Sequence, residues 1–410
     1  MKRVLMVAFH FPPIKGSSGI QRTLRFVRYL PEFGWEPIVL TVDPRAYLGT
    51  GNDQLRDIPP GTTVIRTRAW DAARHFAIGK CYPQVLARPD RWMSWWLSAV
   101  PAGLAMIRKY RPHALWSTYP LATAHRIGHT LQRLSGVPWV ADFRDPMAQD
   151  GYPEDPSVWR SFERIERTGI ARAAFSTFTT PSALRDYQLR YPARATHMSL
   201  LENGYDEETF EGTHSGSPLD ADRVTLLHSG IVYPSERDPT ALFAALKELK
   251  HTDKSTFDRL RIRFRAPVHK GLIQQLATDN HVAEAIEILP PIAYRDALSE
   301  MVRADGLLIL QAANCNAQVP AKLYEYLRAR RPILALTDPA GDTARIARNA
   351  GIEAIAPLDD ADAIGDLLRR FVGDRHCGTL PNETAIAGAS RRERTRELAL
   401  LLERAALASS

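Results

Sequence analysis

MKRVLMVAFHFPPIKGSSGIQRTLRFVRYLPEFGWEPIVLT, residues 1–41, is the stretch that decides the fold. Residues 4–8 form a short, continuous apolar run of strand type, and a loop of Pro, Gly and Ser follows at 12–19. Apolar residues then recur at Ile20, Leu24, Val27 and Leu30, with Arg22, Arg25 and Arg28 off that face, which is the spacing of one side of an α-helix. Gly34 ends the helix, and residues 37–41 form a second strand-type run. A strand, a helix and a strand in so short a span require two parallel strands joined by a right-handed crossover. Parallel strands are covered on both faces, so their runs are uniformly apolar rather than alternating.

The two basic residues and apolar run at the start also suit a secretory leader. However, His10 and Pro12-Pro13 interrupt the run, and no small-residue cleavage pattern follows. The segment therefore reads as a buried first strand. Working outward, strand-type runs follow at 63–66, 114–118, 139–142, 174–180 and 198–201. After the polar segment 203–223 the pattern restarts at 224–230, then 260–266, 285–289, 306–310, 333–336 and 353–356. Two successive α/β series predict two doubly wound Rossmann-like domains, at 1–205 and 220–385. A last helix at 390–408, with Leu398, Leu401 and Leu402 as its docking face, is expected to return to the first domain.

With 410 residues, 45% hydrophobic and 24% charged, the composition is that of a globular protein with room for more than one core. The net charge of +7 suits an anionic ligand, a membrane surface or a nucleic acid. No zinc spacing or RNA-binding signature accompanies it and the basic residues are spread, so no nucleic acid is expected. Three scattered cysteines, Cys81, Cys315 and Cys377, build neither a disulfide framework nor a metal cluster, and fit a reducing, cytoplasmic compartment. No apolar stretch reaches the ~18 residues of a membrane span. Residues 90–100 carry Trp92, Trp95 and Trp96, followed by Arg108, Lys109 and Arg111. They read either as an interfacial helix, giving weak contact with an inner-membrane surface, or as a helix packed on the first domain.

In open α/β sheets, ligands bind beyond the carboxyl ends of the strands. Four loops placed there carry unusual residues. The first, PPIKGSSG at 12–19, lets the backbone approach a ligand at Gly16 and Gly19, or is a plain turn; its spacing is neither a Walker loop nor G-x-G-x-x-G. The second, PWVADFRDP at 138–146, offers Asp142, Arg144 and Asp145 as a base and a cation, or as an internal Arg–Asp pair. The third joins His228, Ser229 and Gly230 to Arg237, whose planar fork suits a diphosphate or simply faces solvent. The fourth, VPAKLYEYL at 319–327, sets Lys322 and Glu325 at i and i+3 on a helix start. They would neutralise a phosphate and hold a ribose, or form an exposed pair of little worth.

Taken together, these loops resemble glycosyltransferases of the GT-B fold, in particular glycosyltransferase family four, over nearly the whole chain. Besides the four loops, ENGYD at 202–206 with Phe210 is similar to the family's Asn-Gly-x-Asp-x-x-x-Phe. The Asp-Phe-Arg-Asp-Pro and Pro-x-Lys-x-Tyr-Glu-Tyr-Leu strings look like a subgroup among bacterial polysaccharide-assembly transferases. The resemblance implies an acceptor-side first domain and a nucleotide-sugar-binding second domain, facing a cleft. It implies metal-independent, cofactor-free transfer with retained anomeric configuration to a glycan or polyprenyl-linked acceptor, in surface or exported polysaccharide synthesis. Gly16, Gly19, Ser229 and Gly230 would then face the donor, Arg237 the leaving group, Lys322 a phosphate and Glu325 the ribose. Asp142, Arg144 and Asp145 would take the catalytic place on the first domain.

There are two departures from the family pattern. Ala317 stands where the family's other glutamate would, eight residues before Glu325, and Arg144 stands nearest the place of a family histidine. Two further readings stay open on this basis: a non-catalytic nucleotide-sugar binder or assembly partner, and a nucleotide-sugar epimerase.

Overall fold

A computed structural model describes residues 1–15, 19–52, 54–76, 82, 84–213, 216–374 and 380–408. Gly16, Cys81 and Cys377 lie outside the described residues. The first sheet contains β1 (Lys2–Val7), β2 (Trp35–Val42), β3 (Thr63–Thr67), β4 (Ala114–Thr118), β5 (Trp139–Arg144), β6 (Phe175–Phe178) and β7 (Met198–Leu200), in the order β3-β2-β1-β4-β5-β6-β7. The second contains β8 (Val224–Ser229), β9 (Leu260–Arg265), β10 (Ile286–Leu289), β11 (Gly306–Gln311), β12 (Ile333–Thr337) and β13 (Ile355–Ala356), in the order β10-β9-β8-β11-β12-β13. Every neighbouring pair is parallel. Each apolar run picked out in the sequence has become a strand. Both orders are that of doubly wound nucleotide-binding sheets, with the direction of winding reversing between β1 and β4 and between β8 and β11.

The chain divides into two compact units, Met1–Glu202 with the segment from Arg391 onward, and Asn203–Ser390. In the first, alternate residues of β1 face opposite ways. Leu5 and Val7 join a core with Trp95, Ile127 and Phe162. Val4 and Met6 join another with Leu24, Val27, Leu398 and Leu402. This is the two-sided burial that makes a parallel strand apolar throughout. The helix Arg391–Leu407 packs against the helix Gly19–Tyr29, whose arginines depart from the helical-face reading. Arg22 and Arg25, off the apolar face, are only 2% and 4% exposed.

The tryptophans of residues 90–100 are committed inward. Trp95 is fully buried, its indole N–H donating to Thr67 Oγ1 at 2.9 Å. Trp96 donates to Thr130 Oγ1 at 3.0 Å and Trp92 to the Ala46 carbonyl at 3.4 Å. This is the packed-helix reading of the segment. Among the described residues, no helix is long and apolar enough to cross a membrane.

Candidate functional site

In the second unit the site grows from the point where winding reverses. β8 ends at His228-Ser229, and Gly230 follows with φ +112°, a conformation L side chains rarely adopt. A Cβ on Gly230 would sit 3.3 Å from Lys322 Nζ, so glycine is also what admits the lysine. Lys322 opens the helix Lys322–Ala329, which follows the loop after β11.

His228 links these parts. Its Nδ1 faces the Leu308 carbonyl of β11 at 2.9 Å, which makes Nδ1 the protonated nitrogen. Nε2 is then free to accept from Lys322 Nζ at 3.0 Å. Burial, with the charges of Lys322 and Arg237, holds His228 well below the usual histidine range. The lysine pays for this seat. Burial, then Arg237, pulls its ammonium down to about 7 against a weaker upward pull from Glu325.

Arg237 is positioned by its own loop. Nη1 donates to the Ile231 carbonyl at 2.6 Å, and the guanidinium lies 5.1 Å from the centre of the Tyr233 ring. Neither Arg237 nor Lys322 makes an ion pair among the described residues. On the same turn as Lys322, half-buried Glu325 accepts from Tyr294 Oη at 2.6 Å. The Ser229 N–H donates to Tyr326 Oη at 2.9 Å, fixing the strand end to that helix. Ala317 is exposed on the loop after β11.

In the first unit, the three charges of 142–145 separate. Asp142 is fully buried and saturated: Arg22 grips it through Nε at 2.9 Å and Nη2 at 2.8 Å, and Thr118 and Thr177 hydroxyls each donate at 2.8 Å. Burial opposes its charge, but the Arg22 guanidinium holds the carboxyl below its usual range. With four donors on two oxygens, it has no place left for a substrate proton. Asp142 is thus a structural anchor rather than the catalytic base considered from sequence.

Arg144 sits at a register shift in β5 with φ +62°, a sparsely occupied region for a non-glycine residue. It lowers His10, which burial first and Arg144 second bring to about 4. Asp145 is exposed.

Gly19 begins the helix Gly19–Tyr29 and is buried. Of the residues singled out from sequence, the structure gathers Ser229, Gly230, Arg237, Lys322 and Glu325 in the second unit, with His228 and Tyr294 added. In the first unit, Arg144 lies beside His10 and Tyr119. The signal for His228 was its place beside Ser229-Gly230. His10 was read only as an interruption of an apolar run, and nothing in the sequence marked Tyr294. Among the described residues, no group of three or more His, Cys, Asp or Glu could hold a metal ion.

The profile of the glycosyl transferase 4-like domain matches residues 18–204. No curated protein sequence matches the chain. Solved structures do match along its length. α,α-Trehalose 6-phosphate synthase from Burkholderia multivorans is 12% identical with a TM-score of 0.64, over 100% of this chain and 98% of that one. HepE from Anabaena, solved with UDP, is 12% identical with a TM-score of 0.62, over 97% and 94%. Sucrose-phosphate synthase from Thermosynechococcus elongatus is 14% identical with a TM-score of 0.59, over 100% and 97%. Residues 18–204 are thus similar to the glycosyl transferase 4-like domain, and the chain as a whole has the two-domain GT-B fold of these solved structures.

Proposed function

We propose that the chain transfers a sugar from a nucleotide-sugar donor to a glycan or polyprenyl-linked acceptor in surface or exported polysaccharide synthesis, with retention at the anomeric carbon. The observation that carries this reading is the pair of cations, Arg237 and Lys322, which make no ion pair among the described residues and sit around Gly230 where the second sheet reverses its winding. As the bond from the anomeric carbon to the diphosphate breaks, negative charge gathers on the leaving phosphate oxygens. Donors already fixed there stabilise that charge without reorganising. Arg237 is held by Tyr233 and Ile231, and Lys322 by His228, so both are fixed in advance. In this reading these cations act in place of a metal ion, Glu325 takes the ribose hydroxyls, and Arg144 with His10 serves the acceptor side.

A panel of nucleotide sugars screened by thermal shift tests donor binding, since a ligand of the native state raises its stability. Release of nucleoside diphosphate that requires an acceptor tests transfer. Product without acceptor would replace transfer by epimerisation. Exposed Ala317, in place of the family's glutamate, favours the second reading of a non-catalytic binder. That reading is upheld by nucleotide binding without turnover over the whole panel.

The lysine gives a pH prediction. An anion at this site prefers charged Lys322, whose free value is about 7. Below pH 7 the charge is already present. Above it, binding must take up a proton, so nucleoside diphosphate affinity is expected to fall by up to about tenfold per pH unit. Calorimetry in buffers of different ionisation enthalpy should show proton uptake at pH 8, and Lys322→Met should abolish it. A flat pH profile in the unmodified protein would contradict the assignment.

A further inference from the structure

In the first unit, a cavity of about 540 Å³ opens between the helices Trp95–Tyr110, Ala122–Ser135 and Pro156–Arg172. Its lining runs from His125 and Arg126, at the start of Ala122–Ser135, to Arg133 near that helix's end. The volume is that of a small-molecule site.

Three arginines, Arg126, Arg133 and Arg164, are among the residues that line the cavity, and no Asp or Glu is among the described residues that do so. None of the three makes an ion pair among the described residues. Arg126 lies 5.2 Å from the centre of the Trp96 ring, and Trp96 is itself fixed by its hydrogen bond to Thr130. The carboxyl that acts on Arg126 is Asp90, which is taken up by the Thr123 and Trp92 N–H groups. Burial pushes Asp90 up to about 6, weakening it as a counter-charge. Like charges drawn around one cavity repel, and an anion between them offsets that cost.

We propose that this cavity binds a phosphate group, carried by a small molecule or a lipid headgroup, through the guanidinium forks of Arg126, Arg133 and Arg164. Guanidinium forks match phosphate oxygens in pairs, and a phosphate brings up to two charges to three cations. The site stands apart from the cations of the second unit and does not rest on the transferase reading.

The test uses the full chain carrying Arg237→Ala and Lys322→Ala, so that the second unit's cations bind no probe. Into it go either Arg133→Gln with Arg164→Gln, or the control pair Arg160→Gln with Arg167→Gln. All four positions are exposed, and the control removes the same charge from the helix Pro156–Arg172 outside the cavity. One arm measures pyrophosphate by calorimetry. The other measures flotation with phosphatidate vesicles against phosphatidylcholine vesicles. The expected result is an at least tenfold loss of binding in the Arg133/Arg164 variant and less than twofold in the control. That loss with pyrophosphate identifies a soluble phosphate ligand, and loss with vesicles alone identifies a headgroup. Equal effects of the two pairs, no effect of either, or no binding in both arms would overturn the proposal.

Discussion

Arg237→Ala is expected to lower kcat for sugar transfer by about 100-fold, or about 2.7 kcal/mol of barrier, with a much smaller change in KM for the donor. The asymmetry follows from where charge appears. The diphosphate already carries charge in the ground state, but the bridging oxygen gains its own only as the sugar leaves. A guanidinium fixed by Tyr233 and the Ile231 carbonyl meets that new charge without moving. The substitution removes a half-buried side chain from a loop, so the fold should survive. Steady-state kinetics with a saturating acceptor check this, beside Glu325→Ala, which should instead raise donor KM if it holds the ribose. An Arg237→Ala enzyme with unchanged kcat would remove the arginine from the leaving-group site.

Asp142→Ala is expected to destabilise the first unit by about 3–5 kcal/mol, because it strands the buried Arg22 guanidinium without its counter-charge. The guanidinium would keep only the Leu201 and Glu202 carbonyls, at 2.9 and 3.0 Å. All eight tryptophans lie between Trp35 and Trp159, so tryptophan fluorescence in urea reports on this unit alone. The sign of the pH effect follows from the same pair. The folded carboxyl is held below its usual value, so its contribution is complete above its unfolded value of ~3.9 and is lost as pH falls through the folded value. The unmodified protein should therefore lose part of its margin over Asp142→Asn as pH falls below ~4. A loss under 1 kcal/mol for Asp142→Ala at neutral pH would return this residue to the list of catalytic candidates.

The strands and the class of fold were legible because burial leaves a trace in composition. A parallel strand covered on both sides is mostly apolar, and thirteen strand-type runs are visible without any structure, although edge-ward β9 alternates Arg with apolar residues. The strand order was not legible, since apolar runs pair equally well with many neighbours. The glycine at Gly230 and the Lys322–Glu325 spacing could be read locally, because a turn and a helical step are short-range facts. Arg22 could not. Its helix spacing sets it off the apolar face, and it lies inside because the fold brings Asp142 and the Leu201 and Glu202 carbonyls to it.

The sequence by itself thus determined two parallel-sheet units and the loops at their strand ends that carry Gly230, Arg237, Lys322 and Glu325. Tertiary structure decided which charges are free to meet a ligand. Of 53 basic and 46 acidic residues, pattern alone does not show that Asp142 is spent on Arg22, 120 positions away. Nor does it show that Arg126, Arg133 and Arg164 surround one cavity without an acid. Apolar burial is set by each residue's own chemistry, whereas an ion pair depends on which of many partners the fold brings within a few ångströms.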